Sequence, residues 1–170
     1  MKVNNKVAID RMPFRKEVKF RFDHSDTKFV SELLDELNDG IKAADYNLTD
    51  KTPFLSFEGS ITRLQDDKYQ DYLLLEGRLK ANFFAVCVGS GVVMLDEIDA
   101  DVYAAIIDTE LEARFGHEED TTVYINDDEY DLYYFNEKGE FEIKEILSEY
   151  LFLNKNPYPK IANFDGPKSV

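Results

Sequence analysis

Between Tyr72 and Cys87 an apolar or small residue returns at every second position: Leu73, Leu75, Gly77, Leu79, Ala81, Phe83, Ala85 and Cys87. Glu76, Arg78, Lys80 and Asn82 are among the residues between them. A period of two is the spacing of an extended strand with one face buried. Beyond Gly89, Ser90 and Gly91, the residues Ile98, Ala100, Val102, Ala104 and Ile106 alternate in the same way with Glu97, Asp99, Asp101, Tyr103 and Ala105. Two such arms joined by a glycine-bearing turn form a hairpin, so the fold has to be built around an antiparallel sheet. The first arm is long for a single strand, and Gly77 marks the place where a bend or bulge is expected. In that arrangement Arg78 and Lys80 on the first arm are expected near the carboxylates of the second. Such cross-strand pairs set register more than stability, at about 0.2 to 1 kcal/mol each.

The remaining segments supply smaller elements. Val18, Phe20 and Phe22 alternate with Lys19, Arg21 and Asp23, which predicts a half-buried strand. A helix is expected over residues 26–39, with Ser25 or Asp26 as its cap, Phe29, Val30, Leu33, Leu34 and Leu37 as its buried stripe, and Gly40 as its left-handed terminator. A strand is expected from Leu55 to Leu64, a turn from Gln65 to Lys68, and short strands around Val123 and over Leu132 to Phe135. A turn at Lys138 and Gly139 leads into a closing helix over Glu142 to Leu153. Ile143, Ile146, Leu147, Tyr150 and Leu151 form its stripe, and Pro157 and Pro159 bar its continuation. The predicted class is α+β: a mainly antiparallel sheet with one helix in the amino-terminal third and one near the carboxyl terminus. The domain reading is an amino-terminal arm or edge segment over residues 1–14, one domain over 15–160 and a loose tail over 161–170.

Charge bounds the partners. The net charge of −15, from 35 acidic and 20 basic residues, opposes indiscriminate binding to nucleic-acid phosphates. The charge is also polarised along the chain. Lys2, Lys6, Arg11, Arg15, Lys16, Lys19 and Arg21 face only Asp10 and Glu17 in the first twenty-one residues, whereas residues 96–131 are crowded with carboxylates and hold the single base Arg114. Arg11, Arg15, Lys16, Lys19 and Arg21 are therefore the candidate basic contacts, and Asp96, Glu97, Asp99 and Asp101 the candidate acidic ones. The first residues lack the apolar core of a signal peptide, and no stretch is long and apolar enough for a membrane-spanning helix, so a soluble cytoplasmic protein is expected. The Asn47-Leu48-Thr49 triplet has the form of a glycosylation acceptor, which has no meaning without secretion.

Chemistry is sparse. Cys87 is the one cysteine, and His24 and His117 are the only histidines, too few soft ligands for a structural zinc site. On the apolar face of a strand Cys87 reads as a small hydrophobe, not a nucleophile. Asp127, Glu129 and Asp131 alternate as in a calcium loop, but the glycine at its sixth position is missing and aromatic residues stand where oxygen donors are needed. They read as the acidic outer face of a tyrosine-rich strand. Gly89 and Gly91 lack the third glycine and the following helix of a dinucleotide loop. Hence no catalytic residue, metal, cofactor or small-molecule substrate is assigned. Phe14, an aromatic on the basic amino-terminal segment, is a candidate contact.

The order of these features resembles the YceD family, the large ribosomal RNA subunit accumulation proteins. Gly77, Leu79 and Cys87 match that family's block of a glycine, a strand hydrophobe and a Cys-x-x-Cys corner. An acidic stretch follows, and Ile143, Ile146, Leu147, Glu149, Leu151, Leu153 and Pro157 approximate its closing helix and proline. Ser90 stands where the second cysteine would be, and Lys155 and Asn156 depart from the apolar residues and proline of the last block. The resemblance covers residues 15–160. It implies a non-enzymatic factor in large-subunit ribosomal RNA accumulation, acting in the cytoplasm or a plastid stroma, with a basic ribosomal protein or the rRNA precursor as partner. Two alternatives stand beside it: an acidic protein-interaction module unrelated to ribosomes, and a metal-binding protein that has lost its cysteine pair.

Overall fold

The computed structural model describes residues 2–41, 52–111 and 121–159. The Asn47-Leu48-Thr49 triplet, His117, Arg114 and the tail over 161–170 lie outside them.

The chain order is β1 (Lys6–Ala8), a 3-10 turn (Ile9–Arg11), β2 (Glu17–Asp23), α1 (Lys28–Asn38), β3 (Phe54–Asp66), β4 (Gln70–Val86) and β5 (Val93–Ile107). A second 3-10 turn (Thr109–Leu111), β6 (Thr122–Ile125), β7 (Asp128–Tyr134), β8 (Glu140–Glu142) and α2 (Ile143–Asn154) follow. The fold is α+β, with a mainly antiparallel six-stranded sheet in the order β2-β3-β4-β5-β7-β6 and a two-stranded sheet of β1 and β8. The hairpin anticipated from the alternating runs is β4 and β5. Gly77 does not break its first arm, which runs as one 17-residue strand.

One pair departs from the antiparallel expectation. β7 lies parallel to β5, with Ala104 opposite Asp131 and Ile107 opposite Tyr134. Asn126 and Asp127 both adopt positive φ, 52° and 67°, which folds the chain back as a tight two-residue hairpin. The returning strand β7 lies between β6 and β5, antiparallel to the first and parallel to the second.

Helix α1 buries the whole predicted stripe, Phe29, Val30, Leu33, Leu34 and Leu37. Each such side chain contributes about 1.5 to 3 kcal/mol by leaving water. Its ends differ from the expectation. The cap is Thr27, whose side chain makes no capping bond, because Ser25 is engaged by Asp23 through both its amide and hydroxyl and Asp26 accepts from the Thr27 hydroxyl. The left-handed turn begins one residue before Gly40, at Asp39 with φ 48°. Helix α2 buries Ile143, Ile146, Leu147, Tyr150 and Leu151, the five predicted for it.

The described chain divides into two compact units, each assembled from separate stretches. The first comprises Met1–Arg21, Glu58–Arg78 and Asp101–Ile146; the second comprises Phe22–Phe57, Leu79–Ala100 and Leu147–Val170. In the first unit β4 and β5 bury residues of both parities. Leu73 and Leu75 are fully buried, and so are Ala104 and Ile106. Tyr72, Leu74, Ala105 and Ile107 of the opposite parity join Tyr69, Leu111, Val123, Ile125 and Tyr130 in a second apolar cluster. The signal was present in the sequence as two unbroken apolar runs, Tyr72 to Leu75 and Ala104 to Ile107, where alternation lapses. The second unit buries the α1 stripe with Leu55, Phe57, Leu79, Ala81, Phe83 and Ile98, and Phe22 meets Phe29 edge-on at 5.0 Å.

Candidate functional site

In the first unit, residues of β2, β3, β4 and β5 line an open trough of about 610 Å³. Strand alternation positions its side chains. Val18 is buried, which turns Glu17 and Lys19 outward on β2; Val102 is buried, which turns Asp101 and Tyr103 outward on β5. Glu58 from β3 and Glu76, Gly77 and Arg78 from β4 lie between them.

The charges in this trough are largely answered by one another. Arg78 Nη1 lies 3.3 Å from Asp101 Oδ1, the cross-strand pairing anticipated for the hairpin, with both side chains about half exposed. Lys19 Nζ lies 3.9 Å from Glu17 Oε1. In water such pairs contribute at most about 1 kcal/mol, so their role is positional. Tyr130 Oη donates to Glu76 Oε1 at 2.5 Å, and its ring meets that of Tyr103 edge-on at 6.1 Å. Burial, reinforced by Glu76, pushes the Tyr130 hydroxyl well above its ordinary pKa. It remains a neutral donor at physiological pH.

The structure distributes the other candidates as follows. Lys19 and Arg21 line the trough together with Asp101, so a basic and an acidic residue far apart in sequence share one surface. Arg11, Arg15 and Lys16 are exposed outside it. Asp96 is half-buried, whereas Glu97, Asp99 and Asp101 are exposed along β5. Of the family-motif positions, Gly77 lines the trough, Leu79 is fully buried, and Glu149 and Pro157 are exposed.

No protein-family model, curated protein or solved structure matches this chain.

The β4–β5 corner shows what the residues of the motif do here. Cys87 is fully buried. Its amide donates to the Val92 carbonyl at 2.9 Å and its carbonyl accepts from the Gly91 amide at 2.8 Å. Gly91 takes φ +72°, a conformation that suits glycine. Ser90 Oγ accepts from the Val92 amide at 3.3 Å. Both positions thus serve the turn. In the second unit His24 is also structural: Nδ1 accepts from the Leu55 amide at 3.3 Å, while its own amide donates to the Leu55 carbonyl at 3.0 Å. Among the described residues no group of three His, Cys, Asp or Glu side chains is placed to hold a metal ion. What these surfaces offer chemically is charge recognition by side chains fixed on strands. Sequence reasoning missed Glu76, Tyr103 and Tyr130, whose conjunction depends on β7 reaching the sheet.

Proposed function

We propose that the protein is a non-enzymatic factor in large-subunit ribosomal RNA accumulation that holds a basic ribosomal protein through the exposed carboxylates of β5. The observation that carries this reading is the pair Glu97 and Asp99 in the second unit. Both are exposed, on a strand anchored between them by Ile98, which is 3% exposed. An exposed acidic pair on a molecule of net charge −15 attracts a basic partner and speeds its encounter. The ribosomal context comes from the YceD resemblance, whose glycine, turn and closing-helix blocks fall on β4, the β4–β5 corner and α2. The setting that goes with it is the cytoplasm or a plastid stroma.

The test is a pull-down from a salt-washed ribosomal protein fraction at low and high salt, with an equally acidic unrelated protein as control. Enrichment of a basic ribosomal protein, lost with Glu97→Lys and Asp99→Lys together, is the expected result. Recovery no better than the control's overturns the proposal. Specific capture combined with unchanged large-subunit rRNA levels on depletion would favour the ribosome-independent interaction module.

A further inference from the structure

Phe14 is 44% exposed, yet its ring is not left to chance. The guanidinium carbons of Arg15 and Arg63 lie 5.5 and 5.7 Å from its centroid, within the range of a cation–π contact. The two arginines are held very differently. Arg63 is pinned: Nε and Nη2 donate to the two Asp71 oxygens at 2.9 and 2.7 Å, and Nη1 donates to the Met12 carbonyl at 3.2 Å. Arg15 is exposed and, among the described residues, forms no ion pair. Its backbone sits at φ 57°, a left-handed conformation that costs a residue with a Cβ about 1 to 2 kcal/mol. The Arg15 amide holds that turn by donating to the Arg63 carbonyl at 2.9 Å, and Phe14 is bridged to Arg63. Strain of this kind collects where a side chain is being aimed at a ligand.

An unstacked nucleobase needs an aromatic face, a planar cation to close over it, and basic side chains nearby for its phosphates. We propose that Phe14, Arg15 and Arg63 form a stacking contact for a base of single-stranded RNA. Arg63 fixes the ring, Arg15 swings from the ring to close over the base, and exposed Arg11 and Lys16 reach the flanking phosphates. An acidic peptide would use the cations but has no call on the ring, so RNA is the better fit. This site goes beyond the protein-binding role proposed for β5 and shares no residue with it. With the whole molecule at −15, attraction at a distance is weak, so stacking supplies the affinity and the salt dependence is shallow.

Fluorescence anisotropy with a labelled single-stranded oligoadenylate at low salt tests the site on the full chain. Saturable binding is expected, weakened about tenfold by Phe14→Ala and retained by Phe14→Tyr. Arg15→Gly relieves the left-handed backbone while removing the guanidinium, so it is expected to weaken binding without lowering the melting temperature. Absence of binding by the unmodified protein overturns the proposal. So does unchanged affinity in Phe14→Ala, or tighter binding of a phosphorylated acidic peptide that ignores Phe14→Ala, since either would leave only a cationic surface.

Discussion

Arg63 and Asp71 meet as a two-point fork at the β3–β4 turn, Nε to Oδ1 at 2.9 Å and Nη2 to Oδ2 at 2.7 Å. Arg63 is largely covered and Asp71 about a third exposed, so solvent screens part of the attraction. The planar geometry is what lysine cannot reproduce. Arg63→Lys is expected to destabilise by about 1 to 2 kcal/mol, read as a lower midpoint in urea denaturation. The loss should shrink only modestly in high salt, because much of it is geometric.

Tyr130 and Glu76 form a hydrogen bond between a buried phenol and a half-buried carboxylate. Tyr130→Phe leaves the carboxylate oxygen without this donor and is expected to destabilise by about 1 to 3 kcal/mol. In a Glu76→Leu background the same change should cost less than half as much. Equal costs in both backgrounds, measured by a double-mutant cycle, would mean that the bond contributes nothing of its own.

The Tyr72 hydroxyl is pushed up to about 12 from an ordinary 10.0, chiefly by burial and then by Asp66. In the unfolded chain it ionises near the ordinary value, while in the fold it stays neutral. Stability is therefore fully present below about pH 10 and falls as pH rises toward 12. Tyr130 is shifted in the same direction. Urea midpoints taken between about pH 8 and about pH 11 should decline, and Tyr72→Phe should make that decline shallower.

Cys87 is completely enclosed, so its thiol should resist an aromatic disulfide reagent in the native protein and react promptly in denaturant. Cys87→Ser places a more strongly hydrated hydroxyl at that enclosed position and is expected to destabilise by about 1 to 3 kcal/mol. Rapid labelling of the folded protein would contradict the burial on which this rests.

Asp39 ends α1 in the left-handed region and carries a negative charge where the helix dipole disfavours one. Asp39→Gly should remove both penalties and raise stability by about 0.5 to 1 kcal/mol in thermal or urea unfolding.

Much of this protein is decided by its sequence alone. Alternation from Leu73 to Cys87 and from Ile98 to Ile106 dictates the central hairpin, because a strand with one apolar face has only one way to bury it. The stripe Phe29, Val30, Leu33, Leu34 and Leu37 dictates α1 for the corresponding helical reason. The cross-strand meeting of Arg78 and Asp101 follows from the same hairpin. Other features were settled only in three dimensions. The positive φ of Asn126 and Asp127 folds β7 back along β6, and the long-range pairing of β7 with β5 buries a second parity of residues and brings Tyr130 to Glu76. Lys19 and Asp101, distant in sequence and opposite in charge, line one trough because β3 and β4 lie between their strands. The pairing of Phe14 with Arg63 likewise joins residues from separate elements. Local periodicity fixes which face of an element is apolar, whereas which elements become neighbours depends on long-range pairing that no local pattern encodes.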